Sequence, residues 1–318
     1  MDFNNYHITI VIPYYKAENK ISKVIEQIPE YVNTLIIVDD ASPKPLPEEK
    51  VKSAINSNTQ LNLLKNNKNL GVGGATKIGF KKALEIGSDF IIKVDADNQM
   101  DLSYLPELIT PLIQNKAEVA KGNRFRDLGA LKKMPLFRRI GNLALSLLIK
   151  ASTGYWHNFD PTNGFFAIKG DILKHLNFTK LSNRYYFETS LLAELYFHKA
   201  RIKDVAMPAI YDDEKSNMQV WKMPFVFTPK LIGTFLKRML KGYLLFDFNP
   251  GSIYLIMGIP MFLFGVVFGT YTWVHYASQD ILTPTGTIMI VALTIILGFQ
   301  LILQAIQYDI INAPKAED

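Results

Sequence analysis

The sequence predicts an α/β domain built on a mainly parallel sheet, followed by a C-terminal helical hairpin long enough to cross a bilayer. Two observations carry this expectation. Across the first 220 residues, short runs rich in β-branched side chains alternate with helical stretches, the pattern of strands covered by helices on both faces. Farther on, residues 248–279 and 281–308 contain no Asp, Glu, Lys or Arg, with Asp280 alone between them, and each stretch exceeds the roughly 20 residues that span a membrane.

Taken in order, strands are expected at 7–12, 34–38, 61–64 and 89–94, each apolar and bounded by turn residues. Helices are expected at 20–28, 75–86 and 102–115, with a further helical stretch at 140–150. The first apolar run, 8–13, is too short for the core of a signal peptide, so none is expected at Met1. The segment 221–249 mixes Phe, Leu and Tyr with Lys222, Lys230, Lys237, Arg238 and Lys241, which suits helices lying in a headgroup layer. The connector 275–280 has no Lys or Arg. The positive-inside bias therefore predicts a two-span integral membrane protein whose residues 1–220 face the cytoplasm, with 221–249 interfacial and 250–310 spanning. No charge is expected within either span, which speaks against an ion path.

Composition narrows the function classes. The 318 residues are 48% hydrophobic and 20% charged, with 19 Gly, 16 Pro and no Cys. Disorder, collagen-like repeats, disulfide scaffolds, thiolate zinc and cysteine nucleophiles are excluded. A net charge of +6, from 35 Lys and Arg against 29 Asp and Glu, is too mild to single out nucleic acid among anionic partners, and none is expected.

Ligands of parallel α/β sheets bind beyond the carboxyl ends of the strands. Acidic groups gather there: Pro13-Tyr-Tyr-Lys-Ala-Glu18 follows the first strand, Asp39-Asp40-Ala-Ser42 the second, and Asp95-Ala-Asp97-Asn-Gln99 the fourth. Asp95 and Asp97, with the neutral oxygen of Gln99, form an oxygen donor set for Mg2+ or Mn2+. A Walker A motif is absent, and Gly71-Val-Gly73-Gly74 lacks the spacing of a dinucleotide fingerprint. Those glycines precede a helix, where either a phosphate or close chain packing would use them. His157 and His175 read as ordinary loop and helix residues.

The ordered strings Val11-Ile-Pro-Tyr-Tyr-Lys-Ala-Glu18, Val38-Asp-Asp-Ala-Ser42, Asn69-Leu-Gly71 with Ala75 and Gly79, and Val94-Asp-Ala-Asp97-Asn-Gln99 resemble the family 2 glycosyltransferases of GT-A fold. With two C-terminal spans, the chain is similar to polyprenyl-phosphate glycosyltransferases of the dolichyl-phosphate mannose synthase type. The resemblance implies that Pro13, Tyr15, Glu18 and Asp40 line a nucleoside pocket, with Asp40 meeting the base. It also implies that Asp95, Asp97 and Gln99 hold a metal on the diphosphate of a UDP- or GDP-sugar. Lys121-Gly-Asn-Arg124 is like the family's Gly-Ser-Arg, and Asp160-Pro-Thr-Asn-Gly-Phe165 is like its acceptor-side Asp-x-x-x-Gly-Phe. Phe166 stands where many relatives carry Arg. Lys215-Ser216 resembles a terminal basic motif, and the Gln-x-x-Arg-Trp signature of processive synthases is missing.

An inverting single transfer to a polyprenyl phosphate is therefore expected, with a homo-oligomer left open. Arg124, Arg138, Arg139 and Lys215 are candidates to bind the acceptor phosphate, because guanidinium groups grip phosphate oxygens in a fork; Arg138 and Arg139 would equally suit lipid headgroups. Asp97 is the central catalytic candidate. If a base acts, Asp160, or Glu188 of Tyr185-Tyr-Phe-Glu188, is the choice. Two other readings stand beside this one: transfer to a lipid hydroxyl, and a silent nucleotide-sugar-binding membrane scaffold.

Overall fold

Ile8–Tyr14 (β1) are seven consecutive buried residues, as expected of a strand covered on both faces. Ile8, Ile10, Ile12 and Tyr14 enter one core and Val11 the other, following the alternation of a pleated strand. The computed structural model describes residues 3–124, 136–208 and 223–317, without the side chains of 136–140, 142 and 223–225.

The other strands are β2 (Thr34–Asp39), β3 (Gln60–Lys65), β4 (Phe90–Lys93), β5 (Val119–Asn123), β6 (Phe166–Lys169) and β7 (Ile202–Ala206). They form one seven-stranded sheet in the order β3-β2-β1-β4-β6-β5-β7. All neighbours are parallel except β6, which runs antiparallel to both β4 and β5. Helices α1 (Ile21–Glu26), α2 (Glu48–Ala54), α3 (Val72–Ile86) and α4 (Leu105–Ile113) follow β1 to β4 in turn. Beyond β5 come α5 (Leu136–Thr153), the short α6 (Gly170–Leu173) after β6, α7 (Phe187–Phe197) and α8 (Met223–Met239). Residues of α1, α2 and α4 fill the core on one face of the sheet, and those of α3 and α7 fill the core on the other. The mainly parallel GT-A-like sheet expected from the sequence is thus present, extended by β5, β6 and β7.

The chain divides into two compact units, Met1–Thr234 with Pro314–Asp318, and Phe235–Ala313. In the first unit the C-terminal segment lies against the β5–β7 edge. There Arg201 donates to Glu317 at 2.6 Å and pairs with Glu118 at 2.8 Å.

The second unit holds α9 (Pro250–Ala277) and α10 (Thr285–Ile311), with mean hydropathy of 2.0 and 2.4 in their most apolar windows. Only 11% and 6% of those windows are buried, the reverse of a soluble core helix. These are helices long and apolar enough to cross a membrane, with their apolar side chains turned outward. Asn249 starts α9 in a capping box with Ser252, with Pro250 in the first turn. The two helices meet through small residues: a Cβ on Gly298 would lie 2.8 Å from Phe262 Cα, and one on Gly258 2.8 Å from Leu301 Cβ.

Two expectations about charge require correction. The charge-free stretch ends at 308, but α10 continues through Asp309 to Ile311. Arg238, expected among headgroup-facing cations, is 1% exposed and forks onto Asp309 at 2.7 and 2.8 Å, while the Tyr243 hydroxyl donates to the same carboxylate at 2.6 Å. Three hydrogen bonds from two residues offset the cost of taking this carboxylate out of water.

Arg238→Met should strip Asp309 of its counter-charge and cost about 3–5 kcal/mol, with Asp309→Asn in the same chain recovering part of the loss. Thermal unfolding of the full chain in detergent measures both effects.

Candidate active site

The sheet topology brings the sequence motifs to one edge. β1, β2, β4 and β5 are mutually parallel through the sheet and end on that edge. Because β6 is antiparallel, the segment 160–165 that leads into it arrives at the same edge. Lys93 and Lys121 are both register partners of Phe166, so the ends of β4 and β5 flank the start of β6. Lys16, Ala41 and Asn98, one in each of the loops after β1, β2 and β4, adopt positive φ of 53°, 55° and 60°. Such strain is stored where the surrounding structure fixes a loop for a task.

The predicted residues that are described take these places. Pro13 is buried within β1, and Tyr15 beyond it is 44% exposed with the Lys16 ammonium 5.3 Å from its ring centroid. Glu18 pairs with Lys44 at 3.1 Å, and its Oε2 is buried with no hydrogen-bond partner among the described residues. Its own backbone N–H, followed by Lys44, lowers its carboxyl below the usual range. Asp40 is 3% exposed and accepts from Asn66 Nδ2 and Leu70 N at 2.8 Å and from Gly71 N at 2.7 Å. It therefore builds the glycine-rich turn.

The glycines of that turn are closely packed, one of the two uses expected of them. Gly71 has φ of 88°, and a Cβ there would lie 2.6 Å from the Asn183 carbonyl oxygen. A Cβ on Gly73 would lie 2.7 Å from Phe187 Cβ.

The centre of the site is a residue that the motifs did not single out. Lys93, the last residue of β4, is 1% exposed and donates to Asp95 Oδ1 at 2.7 Å and Glu188 Oε1 at 3.3 Å. Burial alone would lower its ammonium; the Asp95 and Glu188 charges outweigh burial and raise it above the usual lysine value. Gly164 permits this approach, because a Cβ there would strike Lys93 Nζ and lie 2.8 Å from Asp95 Oδ2. The available signal was a lone lysine in an otherwise apolar buried strand.

Asp97 accepts from Gln99 N at 3.1 Å, and burial, then the Asp95 charge, push its carboxyl above the usual range. Among the described residues no group of three or more His, Cys, Asp or Glu gathers as a metal cage. Two neighbouring carboxylates, of which the Asp95 charge raises the Asp97 carboxyl, still fit a hard divalent ion, which is held by one or two carboxylates plus substrate phosphates.

Arg124 forks onto Asp160 at 2.7 and 3.1 Å, and Asp160 is 1% exposed. The two motifs, 36 residues apart, are thus one ion pair. Phe166 packs edge-on against Phe80 at 6.2 Å in the core. The cations near it come from the strands on either side, Lys93 and the fully buried Lys121, whose ammonium burial lowers to about 8. The Lys121 ammonium sits 5.8 Å from the Phe166 ring and donates to the Asn163 carbonyl. Glu188 lies in the first turn of α7. Arg138 and Arg139 fall in the first turn of α5, their side chains outside the described residues, and Lys215 also lies outside them.

Residues 9–176 match the model of glycosyl transferase family 2. The chain belongs to this family. The family 2 protein described here is a glycosyltransferase, and its relatives fit that assignment. It is 32% identical over 218 residues to the UDP-N-acetylglucosamine–dolichyl-phosphate N-acetylglucosaminyltransferase of Methanococcus voltae, covering 65% of this chain and 86% of that one. It is 25% identical over 198 residues to the undecaprenyl-phosphate mannosyltransferase of Micrococcus luteus, covering 61% and 78%. Among solved structures, glucosyl-3-phosphoglycerate synthase from Mycobacterium tuberculosis in complex with Mg2+ and uridine-diphosphate superposes with a TM-score of 0.51 at 18% identity, over 73% of this chain and 79% of that one. That likeness is one of fold.

The two central charges of this glycosyltransferase should respond oppositely to removal. The carboxyl of Asp97 titrates higher folded than unfolded, so its contribution to stability is present below the unfolded value and lost as pH rises through the folded one. Asp97→Asn should therefore raise the unfolding midpoint at pH 7, with the gain shrinking toward pH 4. Lys93→Met, which leaves Asp95 and Glu188 without their shared cation, should lower it by the equivalent of about 3–5 kcal/mol. Differential scanning fluorimetry across pH reads both.

Proposed function

We propose that this protein transfers a sugar from a nucleotide-sugar to a polyprenyl phosphate at the cytoplasmic surface of a membrane, once per encounter and with inversion. The observation that carries this reading is the union, in one chain, of the acidic rim at Asp95 and Asp97 with two long helices whose apolar side chains face outward. The Methanococcus and Micrococcus relatives are named for dolichyl and undecaprenyl phosphate acceptors, and they support the same acceptor class. The excess of Lys222, Lys230, Lys237 and Lys241 before α9, against a connector without Lys or Arg, supports the cytoplasmic side.

Asp95, Asp97 and Gln99 would hold Mg2+ or Mn2+, which when bound supplies Lewis-acid stabilisation to the departing diphosphate. Pro13, Tyr15, Glu18 and the turn built by Asp40 receive the nucleoside. Lys93 fixes Asp95 relative to Glu188, so the donor side and the α7 side keep one spacing. Arg139 and Lys215, with Arg124 at the rim, supply cations for the acceptor phosphate.

One observation separates this from transfer to a lipid hydroxyl. A hydroxyl needs a base, whereas a phosphate oxygen is already anionic. Both carboxylates considered for that task are engaged, Asp160 by the Arg124 fork and Glu188 by Lys93. A phosphate acceptor makes no demand on either.

Purified protein given undecaprenyl phosphate, Mn2+ and radiolabelled UDP-glucose, UDP-N-acetylglucosamine or GDP-mannose should yield a labelled lipid with one of these donors. Asp97→Ala should cut the rate by about 100-fold or more. Nucleotide binding without labelled lipid from any donor would overturn the reading.

A further inference from the structure

The segment that carries α5 leaves the sheet after Asn123 and returns through Asn158, and one carboxylate holds both of its ends. Asp204 of β7 is half-buried and accepts from Asn123 Nδ2 at 2.9 Å, from Asn158 Nδ2 at 2.7 Å and from the Phe159 backbone N–H at 2.8 Å. The register explains the first of these contacts. Asp204 pairs with Lys121 across the parallel β5–β7 ladder, and Asn123, two residues on from Lys121, faces the same side of the sheet.

A carboxylate suits this task for a chemical reason. When ionised it only accepts, and its two oxygens offer about four lone-pair positions, so three N–H donors from two chain segments can converge on it. Its charge strengthens each bond relative to a neutral acceptor. The Asn158 amide also donates to the Ile202 carbonyl at 3.3 Å, while its Oδ1 is buried with no partner among the described residues. What accepts from Nδ2 therefore orients this amide, and Asp204 is the closer of its two acceptors.

Two of these contacts lie next to residues of the site. Asn123 precedes Arg124, and Phe159 precedes Asp160. Arg124 in turn donates to Asp160 from its backbone N–H at 3.2 Å and from Nε and Nη2 at 2.7 and 3.1 Å. The Arg124 side chain stays 39% exposed while that of Asp160 is fully buried, so the fork points the guanidinium without enclosing it. Asp204 and the fork are successive rungs between the same two segments. The first fixes where the backbone of 123–124 lies against 158–160, and the second sets the direction of the guanidinium from there.

We propose that Asp204 is a positioning residue for the acceptor: by fixing 123–124 against 158–160, it aims the Arg124 guanidinium at the lipid phosphate. This rests on the reading of Arg124 as a cation for that phosphate. The action of Asp204 passes through Arg124, so it governs the acceptor and not the donor.

Asp204→Asn keeps the size of the side chain but replaces one acceptor oxygen by an NH2 that meets N–H donors. The full chain in detergent is assayed with undecaprenyl phosphate and whichever of UDP-glucose, UDP-N-acetylglucosamine and GDP-mannose labels it. The variant should raise the KM for the lipid about tenfold or more, with kcat and the KM for the nucleotide-sugar held within about twofold. Asn158→Ala removes one rung and leaves the carboxylate; it should move the lipid KM the same way by less, and it carries the test if Asp204→Asn does not fold. Arg124→Lys keeps the charge and loses the fork, so it should raise the lipid KM by itself, and Asp204→Asn added to it should change little more. Hydrogen exchange read by mass spectrometry should quicken in peptides covering 119–124 and 158–165 and leave β1 to β4 as they were. Lipid KM effects that multiply in the double variant, or a fall in kcat with both KM values unchanged, would overturn the proposal. Unchanged exchange, with the wild-type chain labelling the lipid, would overturn the positioning alone. No labelled lipid from the wild-type chain would overturn the acceptor reading and the proposal with it.

Discussion

An ammonium removed from water is costly unless carboxylates meet it, and Lys93 satisfies that condition only where β4, the segment before β6 and the first turn of α7 converge. Its two partners come from different parts of the chain, Asp95 from the loop after β4 and Glu188 from α7. Gly164 must lack a side chain for the three to fit. The lysine thus converts a sheet edge and a helix into one electrostatic body. Its charge is divided between two carboxylates, and the carboxyl of Asp97 stays raised by burial and by Asp95. The rim is left short of positive charge, which is the condition under which a divalent ion and a diphosphate add stability together.

The antiparallel strand β6 makes this convergence feasible. Were it parallel to β4, residues 160–165 would lie at the opposite edge, and Asp160, Gly164 and the Arg124 fork would be far from Asp95. Reversal of a single strand places the segment 160–165 beside the ends of β4 and β5 without a long loop. The Arg124–Asp160 pair then closes the inserted segment at its base, so α5 stands on a fixed stem.

Much of this was legible in the sequence, and the exceptions share a physical cause. Strands β1, β2 and β4 were readable because both faces are buried, giving short apolar runs, and the half-buried edge strand β3 was readable from its leucines. Strands β5 and β7, Val-Ala-Lys-Gly-Asn and Ile-Lys-Asp-Val-Ala, mix charge with small residues, and only pairing across the sheet makes them strands. The acidic residues were visible as motifs because their spacing is local. The pairing of Lys93 with Glu188, the packing of Gly71 and Gly73 against 183–187, and the Arg124–Asp160 pair depend on contacts distant in sequence, which no local pattern encodes. The charge-free run likewise ends at 308, whereas the helix continues to Ile311 with Asp309 held by Arg238 and Tyr243.

That last network solves a problem created by the glycine seam of the second unit. Gly258 and Gly265 are one heptad apart on α9, and each lets α10 approach closely. Small-residue contacts of this kind tolerate sliding, since a shift by a heptad would set one glycine where the other had been. Were both helices surrounded by lipid, no hydrophobic gradient would oppose such a slip. The Arg238 fork and the Tyr243 hydroxyl converge on one carboxylate in the last turn of α10, and a slip would break these three hydrogen bonds. A buried ion pair adds little net stability when compared with a well-packed apolar substitute, but removal of one partner is severe. Its effect here is therefore on register: the seam supplies contact at several alignments, and the charge pair makes one of them far more favourable than the rest.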